Sequence, residues 1–451
     1  MSRRLIALLV AVISIAGCLG GSPSAVPEAV PAAVSIPTAA ATDTPAPSGT
    51  PAPSGRPGPT ASSPSPSSSP AGLPATPPST IVPRPGAATA TATLVGALDE
   101  RLDRLRAKYG IPGVSVAIVF ADGSVWRGDS GLADVAAGRP VTADTAFSVA
   151  SVSKTFTAAL ILALVEDGRL SLESTARTYL PNLKIDPAIT VRQLLDHTSG
   201  LRDFYLDRRI DKALLAKRSR VWDPARSLSY VGKPLAKPGV AWHYSNTNYL
   251  VLGLLAEAVG GARVADQLRE RFFTRLGLDH TWYQAVEPPR GPLAHGYRFT
   301  GTNPKLPAID LSDGTRVAPF TSVITASGAA GSIASTSTDL ALWARALYGG
   351  DALEAGSRGA MIADITRTAR LKPPIGYGLG VQGVTVAGLP AFGHSGRFLG
   401  SRAVMRWIPS EQIAVAIVTN QSRTDPNLLL ADLLGLAVRP VVGCVGCPTF
   451  P

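Results

Sequence analysis

The segment SVASVSKTF at residues 148–156 places a lysine three residues after a serine, where a helical pattern begins. Residues three apart on a helix share a face, so the Ser151 hydroxyl and the Lys154 amine can meet. Such a pair is either a nucleophile with its proton acceptor or a helix cap beside a surface charge. The chain has nine lysines, and Ser151-x-x-Lys154 is its only sequence of this type.

Two further short sequences follow in the chain, and each occurs once. The segment WHYSNTNY contains Tyr244-Ser245-Asn246, the single Tyr-x-Asn among ten tyrosines, and FGHSGRFLG contains His394-Ser395-Gly396. A serine hydroxyl is a poor nucleophile until a nearby group takes its proton. Lys154 can do so if burial keeps its amine partly neutral; as an ammonium it would instead assist a Tyr244 phenolate that acts as the base. The sequence leaves both open, and we favour Tyr244 with Lys154 assisting.

The ordered set Ser-x-x-Lys, Tyr-x-Asn and His-Ser-Gly resembles the motifs of the class C β-lactamase group, which includes D-Ala-D-Ala carboxypeptidases, D-aminopeptidases and esterases. His394 stands where class C β-lactamases have lysine, and a histidine there is more typical of the peptidase and esterase members. Further segments extend the resemblance over residues 94–440: LLDHTSGL at 194–201, KPGVAWHYSNTNYLVLG from 237, AAGSIASTSTDLALWARAL from 329 and YGLG at 377–380.

The resemblance implies a role for each motif residue. Ser151 would be the nucleophile, and the backbone N–H groups of Ser151 and Arg397 would form the oxyanion hole that acyl transfer requires. Gly396 would let the substrate backbone lie close to its strand.

The remaining positions would bind the substrate. His394 and Ser395 would hold a substrate carboxylate, and Asn246 would hold an amide. The HTSGL loop around His197 is expected to shape the fold and not to react.

The elements that position these motifs come from both ends of the folded region. LVGALDERLDRLRAKYG, from Leu94 to Gly110, has helical spacing, and two strand patterns, GVSVAIVF and VWRGDSG, follow it. SRAVMRWI and IAVAIVTN predict a second hairpin near the other end, and PNLLLADLLGLAV predicts a closing helix. We therefore predict an α+β fold of the β-lactamase/penicillin-binding-protein type. Its antiparallel sheet would be built from both ends, with flanking helices and an inserted, mostly helical region.

The first 93 residues differ in composition from the rest. Two arginines and an apolar run end at Ile15-Ala16-Gly17-Cys18, which resembles a bacterial lipobox, so residues 1–17 are predicted to be a lipoprotein signal peptide. Cys18 would then carry the lipid and anchor the protein outside the cytoplasmic membrane. Eighteen of the 39 prolines lie between Leu19 and Thr93, so residues 18–93 are predicted to form a disordered tether.

Composition also limits the partners. The formal net charge is +11, but no basic run with interleaved aromatics or other nucleic-acid module is present, so no nucleic-acid partner is expected. No histidine has the His-Glu-x-x-His pattern, and we assign neither metal nor cofactor. Cys444 and Cys447 lie in the tail at 441–451, where a small local disulfide is expected. We expect a monomer.

These observations predict a serine hydrolase that forms an acyl-enzyme on a substrate with an amide or ester carbonyl. A D-Ala-D-Ala carboxypeptidase-like or esterase-like activity is favoured. Two alternatives stay open: a true β-lactamase, and a penicillin-recognising sensor that is acylated with little turnover. The chain has no Gly-x-Ser-x-Gly sequence, the signal of another large class of serine hydrolases.

Overall fold

The main feature of the fold is a large antiparallel sheet with helices on both faces. The computed structural model describes residues 91–299 and 308–438. In chain order its strands are β1 (Gly113–Val119), β2 (Val125–Asp134), β3 (Arg139–Pro140), β4 (Phe147–Ser148), β5 (Trp282–Tyr283), β6 (Tyr297–Arg298), β7 (Ile309–Asp310), β8 (Ile333–Ser335), β9 (Gly376–Tyr377), β10 (Gln382–Val386), β11 (Leu389–Arg397), β12 (Arg402–Ile408) and β13 (Ile413–Thr419).

The helices lie mostly between the two groups of sheet strands. They are α1 (Ala92–Tyr109), α2 (Ser153–Glu166), α3 (Ala176–Tyr179), α4 (Val191–Leu195), α5 (Ile210–Ala216), α6 (Pro224–Leu228), α7 (Asn246–Gly260), α8 (Val264–Leu268), α9 (Thr321–Ser327), α10 (Ser337–Ala344), α11 (Ala355–Ala369) and α12 (Asn427–Ala437). Within the described ranges, no helix combines the length and the apolar character that a bilayer span requires.

The order of strands in the main sheet is β3-β2-β1-β13-β12-β11-β10-β9. The two groups meet where β1 pairs with β13, with Val114 opposite Thr419. This confirms the predicted α+β fold, with the sheet built from both ends and a mostly helical insertion. Two small sheets, β4-β8-β5 and β6-β7, lie within or beside the insertion.

The sheet separates two apolar cores. On one face α1 and α12 pack together, and the Arg101 guanidinium makes two hydrogen bonds to the Asp432 carboxylate. The other face carries the larger core, which includes α2. Every residue of α2 from Ser153 to Leu164 is buried, as its nearly continuous apolar sequence predicts. The helix that begins just after Ser151 is therefore packed on all sides.

The predicted boundaries of the outer elements agree with the structure. α1 ends at Tyr109, and Gly110 adopts the left-handed conformation (φ 59°) that commonly follows a helix C-terminus. The predicted signal peptide, lipidated cysteine, tether and cysteine pair lie outside the described residues.

Candidate active site

Ser151 lies in a tight 3₁₀ turn, Ala150–Val152, that leads directly into α2. The preceding residue, Ala150, has a φ of +48°, a left-handed conformation that is unfavourable for a residue with a Cβ. Ser151 is not the N-cap of α2, because that position belongs to Val152, and no side chain caps the helix there. A simple capping role for this serine therefore does not fit the structure.

The Lys154 amine lies at the centre of the site and is completely buried. Its Nζ is 3.0 Å from Ser151 Oγ, 2.8 Å from Asn246 Oδ1 and 2.9 Å from the Ala330 carbonyl oxygen. Burial lowers the pKa of Lys154 to about 7, although the nearby Asp203 carboxylate acts in the opposite direction. Near neutral pH, a substantial fraction of this lysine is therefore the neutral amine.

Asn246, the first residue of α7, links Lys154 to a buried carboxylate. Its Nδ2 donates a 2.7 Å hydrogen bond to Asp203 Oδ2, while its Oδ1 faces the lysine. The two contacts fix the orientation of the amide, because a lysine only donates and a carboxylate only accepts. Asn246 therefore has one N–H left for a substrate. Its contacts with Asp203 and Lys154 hold the Lys154 amine in position.

The Tyr244 hydroxyl oxygen is buried, and it makes no hydrogen bond of normal geometry with the described residues. Burial raises the pKa of Tyr244 above its ordinary value, although the nearby Ser151 hydroxyl opposes part of the rise. The Lys154 Nζ lies 5.1 Å from the centre of the Tyr244 ring. The pKa shifts of the two groups run in opposite directions, which favours Lys154 and not Tyr244 as the base.

The third motif lies on β11, against the turn that carries Ser151. A Cβ added to Gly396 would lie 2.0 Å from the Val149 carbonyl oxygen and 3.1 Å from the Ser151 nitrogen. Glycine is therefore required for the strand to approach the turn that carries Ser151, a reason different from the substrate contact expected from sequence. The pairing of β10 with β11 stops at Gly393, so the edge of β11 that includes Arg397 is not covered by β10.

His394 is buried, and both of its ring nitrogens are used within the protein. Nδ1 is 2.7 Å from the Ser395 carbonyl oxygen, and Nε2 is 2.9 Å from the Tyr377 hydroxyl. A carbonyl only accepts, so Nδ1 carries the proton and the Tyr377 hydroxyl donates to Nε2. Burial lowers the pKa of His394 well below its ordinary value. This arrangement corrects the expectation that His394 directly holds a substrate carboxylate.

The same chain of hydrogen bonds continues to His197. Its Nδ1 accepts from the Ser245 backbone N–H at 3.2 Å, and its Nε2 is 3.2 Å from the Tyr377 hydroxyl oxygen. The direction of every bond is thereby fixed, with His197 donating to Tyr377 and Tyr377 donating to His394. As expected, the HTSGL loop has a structural role: it joins the Tyr-x-Asn segment to the His-Ser-Gly strand.

Ser395, on β11, belongs to a second hydrogen-bonded group, which it forms with Gln382 and Arg406. Its N–H donates to Gln382 Oε1 at 3.0 Å, and its Oγ accepts from Arg406 Nη2 at 2.7 Å. Arg406 comes from β12 and is 1% exposed.

Sequence reasoning missed three of these residues, namely Asp203, Tyr377 and Arg406. Tyr377 opens the YGLG segment that carried part of the resemblance, and Asp203 follows the HTSGL loop by two residues. Arg406 interrupts an otherwise apolar strand pattern, RAVMRWI, which is a signal that could have identified it as a buried charge.

A group of three potential metal ligands contains none of the motif residues. His295 Nδ1 is 2.8 Å from Asp310 Oδ2, and its Nε2 is 3.6 Å from Asp134 Oδ2. The histidine lies between the two carboxylates, and its hydrogen bond to Asp310 accounts for the arrangement.

Comparison with known proteins places this chain in one family. Residues 98–439 match the Beta-lactamase family. The chain belongs to the β-lactamase family. It is a serine hydrolase of the superfamily that also contains the penicillin-binding proteins.

Two curated proteins with different names are similar to this chain. Penicillin-binding protein 4 of Amycolatopsis lactamdurans is 30% identical over 71% of this chain and 84% of that protein. A D-aminopeptidase of Cereibacter sphaeroides is 28% identical over 75% of this chain, but the match spans only 63% of that protein.

Two solved structures have the same architecture. A D-stereospecific amidohydrolase from Streptomyces has a TM-score of 0.63 and 26% identity, covering 77% of this chain and 99% of that one. A D-amino acid amidase from Ochrobactrum anthropi has a TM-score of 0.65 and 24% identity, covering 76% of this chain and 98% of that one, and this likeness is one of fold.

Proposed function

We propose that this β-lactamase-family protein hydrolyses amides or esters through an acyl-enzyme on Ser151, with Lys154 as the general base. The contacts of the Lys154 amine carry the proposal. Two of its three neighbours, Asn246 Oδ1 and the Ala330 carbonyl, only accept hydrogen bonds. A neutral amine directs its two hydrogens at these acceptors and its lone pair at the Ser151 hydroxyl.

In the proposed acylation step, these groups act in a fixed order. Ser151 passes its hydroxyl proton to Lys154 while its oxygen bonds to the substrate carbonyl carbon. The negative charge that develops on the carbonyl oxygen is stabilised by the backbone N–H groups of Ser151 and Arg397. The proton on Lys154 passes to the leaving nitrogen or oxygen, with the Tyr244 hydroxyl as the relay, and the acyl group remains on Ser151.

Deacylation repeats the chemistry with water as the nucleophile. Lys154 takes a proton from water, the hydroxide oxygen bonds to the acyl carbon, and the Ser151 oxygen leaves with the returned proton. The raised pKa of Tyr244 suits a relay, because such a hydroxyl keeps its own proton while passing another along.

The relatives support a substrate with D-amino acids. The named activities are a D-aminopeptidase at 28% identity and a D-stereospecific amidohydrolase at 26% identity. Penicillin-binding protein 4, at 30% identity, supports acylation by β-lactams. A short peptide or amide built from D-amino acids is the substrate class that we propose.

Intact mass spectrometry after incubation with a neutral fluorophosphonate tests the nucleophile. We expect one adduct on Ser151, and none in Ser151→Ala. Ser148→Ala is the matched control, since the Ser148 hydroxyl is buried without a hydrogen-bond partner among the described residues, and this variant should label like the wild type. An adduct on another residue, or full activity in Ser151→Ala, would contradict the proposal.

Turnover is measured with a D-Ala-D-Ala peptide, a cephalosporin and a short p-nitrophenyl ester. A burst followed by steady product release identifies an enzyme that deacylates. A burst alone would identify a penicillin-recognising protein with little turnover.

A further inference from the structure

Residues 202–240, which we call the basic lobe, carry much of the positive charge of the chain. The lobe holds ten Lys or Arg, four Asp and no Glu, which gives it a net charge of +6 out of +11 for the whole chain. Seven of its cations are exposed: Arg208, Arg209, Lys212, Lys217, Arg220, Lys233 and Lys237. Among the residues that the structure describes, only Arg209 of these seven has an ion-pair partner, Asp207. The lobe therefore presents mostly uncompensated positive charge to solvent.

The other three carboxylates of the lobe do little to balance this charge. Asp203 is buried and accepts a hydrogen bond from Asn246. Asp223 accepts from the Arg226 backbone N–H at the start of α6, and Asp211 is half-buried.

The basic lobe packs on one buried support, the helix α9. Ser322 Oγ in α9 donates to the Leu214 carbonyl at the end of α5, at 2.8 Å. Ser227 Oγ in α6 donates to the Ala326 carbonyl of α9, at 2.9 Å. Because α9 is almost entirely buried, the lobe covers it and turns its own outer side to solvent.

A stack of aromatic rings and arginines joins the two short helices of the lobe. The Arg209 guanidinium lies 5.4 Å from the centre of the Tyr230 ring, and that of Arg226 lies 4.6 Å from the Trp222 ring. The two ring centres are 5.5 Å apart. Arg209 directly precedes α5 and Arg226 belongs to α6, so the cations around both helices lie on one part of the surface.

Apolar side chains are exposed among these cations. Val221 is 69% exposed and Val240 is 63% exposed, and Leu215 and Leu235 are also exposed. Lys212 and Leu215 are three residues apart in α5 and share its outer side. Cations beside exposed apolar residues suit a lipid surface, where headgroups attract the cations and apolar side chains enter the boundary with the acyl chains. A soluble polyanion has no apolar part for these side chains to contact.

The basic lobe has a fixed position relative to the active site. Near its start, the Phe204 N–H donates to Thr247 Oγ1 in α7, at 3.0 Å. Near its end, the Gly239 N–H donates to the Thr198 carbonyl in the HTSGL loop, at 2.8 Å. A surface that bound the lobe would therefore also hold the active site in one orientation.

We propose that the basic lobe binds membrane surfaces that contain anionic lipids. Its exposed cations contact the headgroups, and Leu215 and Val221 enter the boundary between headgroups and acyl chains. Such a contact is reversible and is weakened at an ionic strength of about 0.15 M, so it orients the domain at the membrane and does not replace an anchor. The chemistry at Ser151 plays no part in it.

Vesicle sedimentation of the full-length Cys18→Ser protein tests the surface without a lipid on the protein. We expect the apparent Kd to be at least about tenfold lower for phosphatidylcholine vesicles with about 30% phosphatidylglycerol than for phosphatidylcholine alone, at about 0.01 M salt. Salt at about 1 M should remove the difference, because the Debye length falls from about 30 Å to about 3 Å. An apolar segment elsewhere in the chain would bind both kinds of vesicle alike.

A fourfold variant, in which Arg208, Lys212, Lys217 and Arg220 are each changed to Gln, locates the contact. All four side chains are exposed, and none has an ion-pair partner in the described part of the chain. The Kd values for the two kinds of vesicle should then agree within about twofold, since each basic side chain at such a surface contributes about fivefold. The matched control removes the same charge from four exposed cations outside the lobe: Lys108, Lys184, Arg290 and Arg370. It should keep the preference, and both variants should melt like the parent protein.

A second pair of variants tests the apolar part of the contact. Leu215→Ser combined with Val221→Ser should raise the Kd for the anionic vesicles by about fivefold, because two apolar side chains no longer leave water. Val135→Ser combined with Leu428→Ser is the control, since both residues are exposed and lie outside the lobe. This control should bind like the parent.

Three outcomes overturn the inference. The first is the absence of any preference for the anionic vesicles, and the second is an equal effect of the two fourfold variants. The third is binding that polyphosphate competes away and that the changes at Leu215 and Val221 do not weaken. That result would identify a soluble anionic polymer, and not a lipid surface, as the partner of the lobe.

Discussion

We expect the protonation of Lys154 to determine how the rate of acylation varies with pH. The lysine must be neutral to accept a proton, and burial lowers its pKa to about 7. We therefore expect the rate of Ser151 acylation to rise as the pH increases through about 7 and to level off above it. Rapid-quench mass spectrometry with a slow β-lactam at pH 5–9 measures this profile.

The corresponding Tyr244→Phe profile separates the two possible bases. If Tyr244 is only a relay, the variant should be slower at every pH and keep the same rising limb. Disappearance of that limb in Tyr244→Phe would assign the titrating base to the tyrosine, contrary to the raised pKa of its hydroxyl.

Lys154 and Tyr244 should also act as one unit. Lys154→Ala and Tyr244→Phe affect the same proton transfer, so each should slow acylation by about 10² or more, and their losses should not add. We expect the double variant to be little slower than Lys154→Ala. A double variant whose loss equals the product of the single losses would mean that the two side chains serve separate steps.

At the level of single residues, types and spacing pointed to the serine, lysine and tyrosine that the structure brings together, but not to how each is charged. The sequence favoured Tyr244 as the base, whereas the structure favours Lys154. The difference arises from burial, because desolvation lowers the pKa of an amine and raises that of a phenol. Burial of a particular hydroxyl or amine depends on packing among α2, α7 and the Gly328–Ala330 turn, which no local pattern specifies.

Strand β11 should tolerate almost no increase in size at Gly396. A methyl group there would overlap the Val149 carbonyl oxygen, at 2.0 Å, and push the strand away from the turn that carries Ser151. We expect Gly396→Ala to lower kcat by about tenfold or more, because about 1 Å of misplacement is enough to disrupt reacting groups. Steady-state kinetics together with a thermal melt would show whether the loss is catalytic.

Gly359→Ala is the matched control for this change. Gly359 lies within α11 with nothing near its added Cβ, so alanine should leave kcat unchanged and stabilise the fold by about 0.5–1 kcal/mol. Wild-type kinetics in Gly396→Ala would mean that the strand can shift without disturbing the oxyanion hole.

The Tyr377 hydroxyl links the HTSGL loop to β11, two segments that are far apart in the sequence. Tyr377→Phe would leave the donor of His197 and the acceptor of His394 without partners, at a cost of about 1–3 kcal/mol for each buried group. We expect a lower melting temperature and slower acylation. Unchanged stability measured by calorimetry would show that water replaces the hydroxyl.

At the scale of elements, the prediction succeeded where periodicity was strong. Both terminal hairpins and the two helices α1 and α12 have the predicted order and nearly the predicted bounds. The 3₁₀ turn before α2 and the left-handed Ala150 were not predictable. They lie where β11 packs closely against the turn that carries Ser151, a tertiary contact that no local pattern specifies.

For the molecule as a whole, we propose that Cys18 carries the lipid that holds the enzyme at the outer face of the membrane. The Cys18→Ser protein should be released into the soluble fraction while Ser151 labelling is unchanged, because the anchor and the hydrolase are separate parts of the chain. Membrane fractionation followed by fluorophosphonate labelling measures both properties. Quantitative sedimentation of Cys18→Ser with membranes would rule out the lipid as the anchor.

The pairing of β1 with β13 has a consequence for how the protein folds. Val114 pairs with Thr419, so the centre of the sheet joins segments roughly 300 residues apart. Closing so long a loop costs entropy before the pairing returns any stability, which makes folding slow. The first hairpin, β1-β2, also has an unpaired edge until β13 is synthesised. Until then the chain exposes an apolar strand that can pair with other chains, so β13, the last strand within the described residues, is the one that completes and protects this part of the sheet.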